Sequence, residues 1–416
     1  MRFLKVTFIL ISGACLIFLL AALINVKPTD YEVELEKVQN DLLNEKKSIS
    51  DGPIGKEKAL RLIYLHYLKA SLTGSLKDLK EAEIGIDNAI RDVGPSEELY
   101  LLRANLNLKL HRLENVKHDL EMLAFMADSP RVKVLRADID LQEGRYEDAK
   151  RGYEVVIKQN RTWDNLARLA YLRSKTGDPL GADRLYQEAE DEISVKEMRS
   201  YAWVELQRGL LDLNHGRHDQ ALAHYKRANK AYSGYWLVED HIAELLGAQR
   251  KFDEAVSLYK KVIARAPRPE LQQALGDLYV FRGKPNEAKP WHEQAFASYL
   301  ESAERGEVHY FHHLASFYAD VRQDGAAAVK WAHKDLQLRQ NVATHDTLAW
   351  ALYRNGQFLE ALGEMNKALL SGVKDAHLFF HAAMIHLAAG RAEEGKQFLK
   401  KAAEINPRYE SFHVHR

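Results

Sequence analysis

Cysteine is nearly absent from this chain: Cys15 is the only one in 416 residues. Neither a disulfide within the chain nor a cysteine metal cluster can form. Net charge is missing too, because 59 basic residues balance 59 acidic ones. Such a chain has no overall field to gather nucleic acid or an acidic polymer, and no nucleic-acid partner is expected. There is no phosphate-cradling glycine loop, no GxSxG elbow and no HExxH pair; the segment His309–His313, which reads HYFHH, does not supply one. Nor is there an alternating strand pattern that would put a nucleophile on a sheet. With these missing, the expectation is a protein that is not an enzyme and needs no cofactor. Asn160–Thr162 reads as a glycosylation sequon, but the pattern is too short and common to carry weight.

What is present is a period. A small residue returns at Ala82, Val116, Ala149, Ala182, Ala221, Ala255, Ala288, Ala328, Ala361 and Gly395, mostly in steps of 33 or 34, with two longer steps of 39 and 40. Five residues before it stands a turn-forming glycine, at Gly144, Gly177, Gly216, Gly283, Gly356 and Gly390, where a chain leaving a helix needs a left-handed residue. Seven residues before each glycine comes a second small residue (Ala137, Ala170, Gly209, Gly276, Ala349, Ala383). Four residues after the recurring alanine comes a bulky one (Tyr153, Tyr186, Tyr225, Tyr259, Met365, Leu399). Small facing large across a hairpin lets two helices approach closely. Pro267 and Pro407 stop second helices. Two units carry about six extra residues, near 191–198 and 299–308, read as lengthened helices or long turns.

These marks resemble the tetratricopeptide repeat family, over roughly residues 56–410. The clearest copies surround Ala255, Gly276 and Ala349. The resemblance implies an all-α solenoid, a right-handed superhelix of about ten helical hairpins, that binds protein partners on its concave face. It also implies which positions point inward, those four before, one after and four after the small residue of each first helix. In the C-terminal repeats these are Asp346, Trp350, Tyr353, Phe380, Met384 and Leu387, a groove-like aromatic and methionine set; the same residues could instead fill the joints between repeats. In the central repeats Asp240, Glu244, Glu270 and Asp277 suggest an acidic patch. Family members that clamp a chaperone's C-terminal carboxylate use an inward Lys and Asn; here Asn105 has Leu101 beside it, so that partner class is not expected.

The N-terminus forms a second feature. Arg2 and Lys5 precede an uncharged run, Val6 to Val26, long enough to cross about 30 Å of hydrocarbon as a helix. A cleaved signal peptide and lipidation at Cys15 are the rivals, disfavoured by the length of the run and by its continuation past Cys15. The expectation is a single-pass anchor over 1–26, of the membrane-anchored bacterial type. A juxtamembrane helix and linker follow over 27–55, then a solenoid over 56–410 and a tail over 411–416. The charges flanking the run place the repeats outside the cytoplasm, in the periplasm of a bacterium. Tyr31, Leu35, Val38 and Leu42 mark one amphipathic helix, a stalk, a dimer seam or a helix lying on the first repeat. The resemblance to anchored bacterial members of the repeat family implies assembly of an envelope, polysaccharide-export or secretion complex. A cytoplasm-facing quality-control adaptor is the alternative in sidedness.

Histidine offers the one hint of chemistry. Ten of the 18 lie after residue 308, and His309 with His313, and His377 with His381, are four apart, so each pair shares a helix face and has metal-ligand spacing. The competing class is therefore a metal-binding or enzymatic factor using this end.

Overall fold

The computed structural model describes residues 27–47 and 55–414. Every regular element among them is helical. A first helix, α1 (Asp30–Lys47), precedes ten hairpins. The first five are α2–α3 (Lys56–Thr73, Leu76–Asp92), α4–α5 (Glu97–Lys109, Leu113–Met122), α6–α7 (Pro130–Gln142, Tyr146–Gln159), α8–α9 (Trp163–Lys175, Pro179–Glu192) and α10–α11 (Met198–Asn214, His218–Ala231). The remaining five are α12–α13 (Trp236–Ala248, Phe252–Arg265), α14–α15 (Pro269–Phe281, Pro285–Glu304), α16–α17 (Phe311–Phe317, Gly325–Leu338), α18–α19 (Val342–Arg354, Phe358–Leu369) and α20–α21 (Ala376–Ala388, Ala392–Ile405). The two long steps of the period have separate causes. One is a turn after α9 leading into a longer α10, and the other is the 20-residue α15.

Each hairpin closes on the predicted crossing. The recurring alanines are fully buried, and Tyr153, Tyr186, Tyr225 and Tyr259 fill the space opposite. The fit is tight: a Cβ on Gly209 would lie 2.3 Å from the Tyr225 ring, and one on Gly276 would lie 2.1 Å from the His292 ring. In the α14–α15 hairpin a histidine thus takes the bulky position. Its Nε2 meets Asp277 Oδ1 at 2.8 Å, so the crossing is polar as well as close. Burial of each such ring contributes about 1.5–3 kcal/mol, summed along the stack rather than gathered in one core. The glycines that end the first helices are left-handed, and His111, Arg250 and Gln323 adopt the same conformation in hairpins lacking one.

The coil is tight enough for successive turns to touch. The Val342 amide donates to the Tyr146 hydroxyl at 2.8 Å, and the Gln340 amide to the Gln142 carbonyl at 3.0 Å. Trp236 Nε1 donates to the Leu72 carbonyl at 2.7 Å, and Arg268, stacked over Trp236, reaches the Thr73 carbonyl. The partners in these bonds are 164 to 198 residues apart, so five to six hairpins make one turn. The helix α1 joins the same seam. Tyr31, Val38 and Leu42 are buried against Leu65, Leu72, Tyr232 and Tyr235, while Asp30 accepts from the Ser233 amide and hydroxyl.

The single-pass membrane placement needs correction. Among the described residues no helix is long and apolar enough to cross a membrane; α1 carries acidic residues in its first turn and lysines in its last, and its apolar stripe packs on the solenoid. The inner-membrane, periplasmic localisation is thereby overturned. The run 6–26 that suggested an anchor lies outside the described residues.

Candidate functional site

The first helices of hairpins in the second half of the solenoid face a common interior, a cavity of about 1040 Å³. Its wall is drawn from α10, α12, α14, α15, α16 and the segment after it, α18 and α20, with the C-terminal tail crossing it. Carboxylates outnumber Lys and Arg along this wall, and histidines punctuate it.

Glu244, on α12, is 1% exposed and fully engaged. Its carboxylate meets His241 Nδ1 at 3.0 Å and His413 Nδ1 at 2.6 Å, and accepts from the Val414 amide at 3.0 Å. Burial opposes its ionisation, but attraction to His413 and hydrogen bonds from both histidines hold it well below the usual carboxylate range. The tail is seated by an aromatic as well. Phe412 is buried against Phe281 at 5.6 Å between ring centres, and a Cβ on Gly247 would stand 2.6 Å from its ring. Gly247 is therefore the floor of a Phe412 seat.

One helical turn before Glu244, Asp240 has Oδ1 buried without a hydrogen-bond partner. Burial pushes its pKa up to about 7, with Glu244 and Glu270 adding to the rise and His241 and Arg268 opposing it. An unfolded chain loses that proton near pH 3.8, whereas the folded chain keeps it to about 7. Asp240 consequently costs stability increasingly as pH rises between these values, and the full cost is present above pH 7. Asp240→Asn should therefore stabilise the protein at pH 8 by about 1–3 kcal/mol, discounted for water reaching the cavity, and change little at pH 4. Urea unfolding at both pH values checks this, and equal gains at the two would refute it.

At the other end of the cavity Trp350 is half-buried. It is stacked on Tyr353 at 4.8 Å and on His381 at 4.0 Å, and its Nε1 donates to Asp320 Oδ1 at 2.9 Å. Asp320 comes from a π-helical turn, Tyr318–Arg322, that ends α16 and swings this carboxylate inward. Asp346 meets His381 Nδ1 at 2.9 Å. Phe380 lines the cavity beside Tyr409, and Met384 is partly buried on the same helix. Asp277 belongs to the His292 crossing described above. His309 and His313 part company: His309 stacks on His111, while His313 packs between Tyr299 and Tyr310. Phe412 and His413 were invisible as site residues because they lie beyond the last helix. An aromatic in a tail following Pro407 was the one available signal.

Among known families, the model described as Tetratricopeptide repeat matches residues 347–410. No curated protein matches the chain. Solved structures with similar hairpin stacks include a tetratricopeptide repeat protein from Parabacteroides merdae, at 18% identity and a TM-score of 0.36, covering 59% of this chain and 94% of that one. Yeast Tom70 is 15% identical with a TM-score of 0.40, over 90% of this chain and 91% of its own. A human IFIT1 dimer with PPP-AAAA is 14% identical with a TM-score of 0.46, over 89% and 94%. Residues 347–410 thus match the tetratricopeptide repeat model, and the described residues form an all-α solenoid whose preceding hairpins reuse the same buried small-against-large crossing.

Proposed function

We propose that this protein is a non-catalytic scaffold whose concave face holds an extended segment of a protein partner. The observation that carries the reading is the chain's own tail, which lies across the inner face with Phe412 in the Gly247 seat and its backbone bonded to Glu244. An aromatic anchor in a fitted pocket, with one charge-assisted backbone hydrogen bond beside it, is how such surfaces capture peptides. The excess of carboxylates along the wall favours a segment that is neutral or basic apart from its aromatic anchor. In this reading the tail is an internal competitor that a partner displaces.

A test is a chain truncated after Glu410, titrated with a labelled peptide of residues 411–416 and followed by fluorescence anisotropy. The truncated chain should bind the peptide at least tenfold more tightly than the full chain, whose seat is filled, and Glu244→Gln in the truncated chain should weaken binding about tenfold. A truncated chain with intact helicity that ignores the peptide, or equal binding by both chains, would reject the reading.

A further inference from the structure

We propose that Asp346, His377 and His381 form a binding site for one divalent transition-metal ion of the zinc class, opening onto the central cavity. The inference stands apart from the peptide-docking reading, since it rests on different residues and a different measurement.

His377 and His381 are one turn apart on α20, with ring centres 4.0 Å apart. Asp346 projects from α18 of the preceding hairpin. Each of the three offers a donor atom within 4.8 Å of the other two, and among the described residues this is the only such group of three. Zinc holds nitrogen and oxygen donors tetrahedrally at about 2.0–2.2 Å, so two donors on one ion stand about 3.3–3.6 Å apart. Rotation of the partly buried His377 side chain is the movement that would close the difference.

Three features distinguish the cluster from histidines that merely fill space. His381 is 4% exposed and lines the cavity, and its Nδ1 stands 2.9 Å from Asp346, close enough for both to be donors to one ion. Trp350 lies parallel to the ring, 12° from coplanar, and is itself anchored to Asp320, which removes the remaining freedom of the imidazole plane. Finally, all three residues line the cavity, so a fourth coordination position stays accessible to a ligand entering from it. Two imidazoles and a carboxylate suit zinc, copper or nickel rather than calcium or magnesium, which prefer all-oxygen shells.

The experiment uses the full chain, stripped with a chelator, dialysed, and titrated with zinc by calorimetry and with cobalt by visible absorption. One ion per chain should bind with a dissociation constant in the micromolar range or tighter, and cobalt should show ligand-field bands. His377→Ala should weaken binding at least tenfold and abolish the zinc-induced rise in melting temperature, and Asp346→Asn should weaken it about tenfold to a hundredfold. His381→Ala removes a ring packed against Trp350 and can lower stability on its own account. The partly exposed His377 is therefore the deciding variant, checked by an unchanged melting temperature without metal. Failure of the parent chain to bind zinc at 100 µM, or unchanged affinity in both His377→Ala and Asp346→Asn, would overturn the site.

Discussion

Gly177→Ala should separate the two turns of the superhelix at that point, at a cost of about 3–5 kcal/mol. Two terms contribute. Gly177 has a φ of +84°, where a side chain costs about 1–2 kcal/mol. Its missing Cβ would also stand 2.2 Å from the Gly372 carbonyl oxygen, far inside van der Waals contact and against backbone that cannot swing aside. Gly283 is the internal control: its φ is +78° and a Cβ there would meet nothing within 4 Å, so Gly283→Ala should pay the conformational term alone. The difference between the two variants, read by urea unfolding, isolates the contact between turns. Small-angle scattering should show a larger radius of gyration for Gly177→Ala and no change for Gly283→Ala. Equal costs would mean that the turns touch without contributing to stability.

That contact also shows where the sequence stops being readable. The hairpin crossings were legible because each joins residues within one repeat and recurs with a fixed side-chain signature, alanine against tyrosine. The seam between turns joins residues nearly two hundred positions apart through backbone groups and a bare glycine face, such as Gln340 to Gln142 and Gly177 to Gly372. No residue type marks such a pairing, so the contact between turns was not legible in the sequence. The candidate site divides the same way. The His377–His381 spacing could be read from helical periodicity alone, and Trp350 and Phe380 were visible as inward aromatics. Trp350 as a shelf for His381, and Asp346 as its partner, depend on the angle between adjacent hairpins. The seating of Phe412 and His413 depends on the tail's return across α12, more than 160 residues away in sequence. Glu244 was visible as an inward acid, but the residues that neutralise it were not.

Glu205→Ala should be among the most damaging single changes, at about 3–4 kcal/mol. Glu205, on α10, is 1% exposed and accepts four hydrogen bonds: from the Tyr201 hydroxyl at 2.9 Å, from Arg227 Nε at 2.5 Å and Nη2 at 3.1 Å, and from His224 Nδ1 at 2.5 Å. Removing the carboxylate leaves a buried imidazole, a phenol and a guanidinium without their acceptor. The Arg227 side chain is about half exposed and can turn to water, which keeps the cost at the lower end of the range for broken buried pairs. Glu205→Gln, keeping the shape but not the charge, should cost about 1–2 kcal/mol near neutral pH. The pH dependence separates charge from packing. Burial alone would raise the pKa of Glu205, but the bonds from His224, Arg227 and Tyr201 overcome it and lower the value to about 2 from an ordinary 4.5. A carboxylate depressed in the folded state contributes stability that is complete above pH 4.5 and is lost as pH falls toward 2. The gap between the parent and Glu205→Gln should therefore be constant from pH 7 to about pH 5 and narrow steadily below that. A gap unchanged at pH 3, or a cost under about 1 kcal/mol for Glu205→Ala, would show that the network is not a source of stability. The loss should appear first as faster hydrogen exchange in α10 and α11, then in the hairpins on either side and in α1, which packs on this region and is hydrogen-bonded to Tyr232 and Ser233.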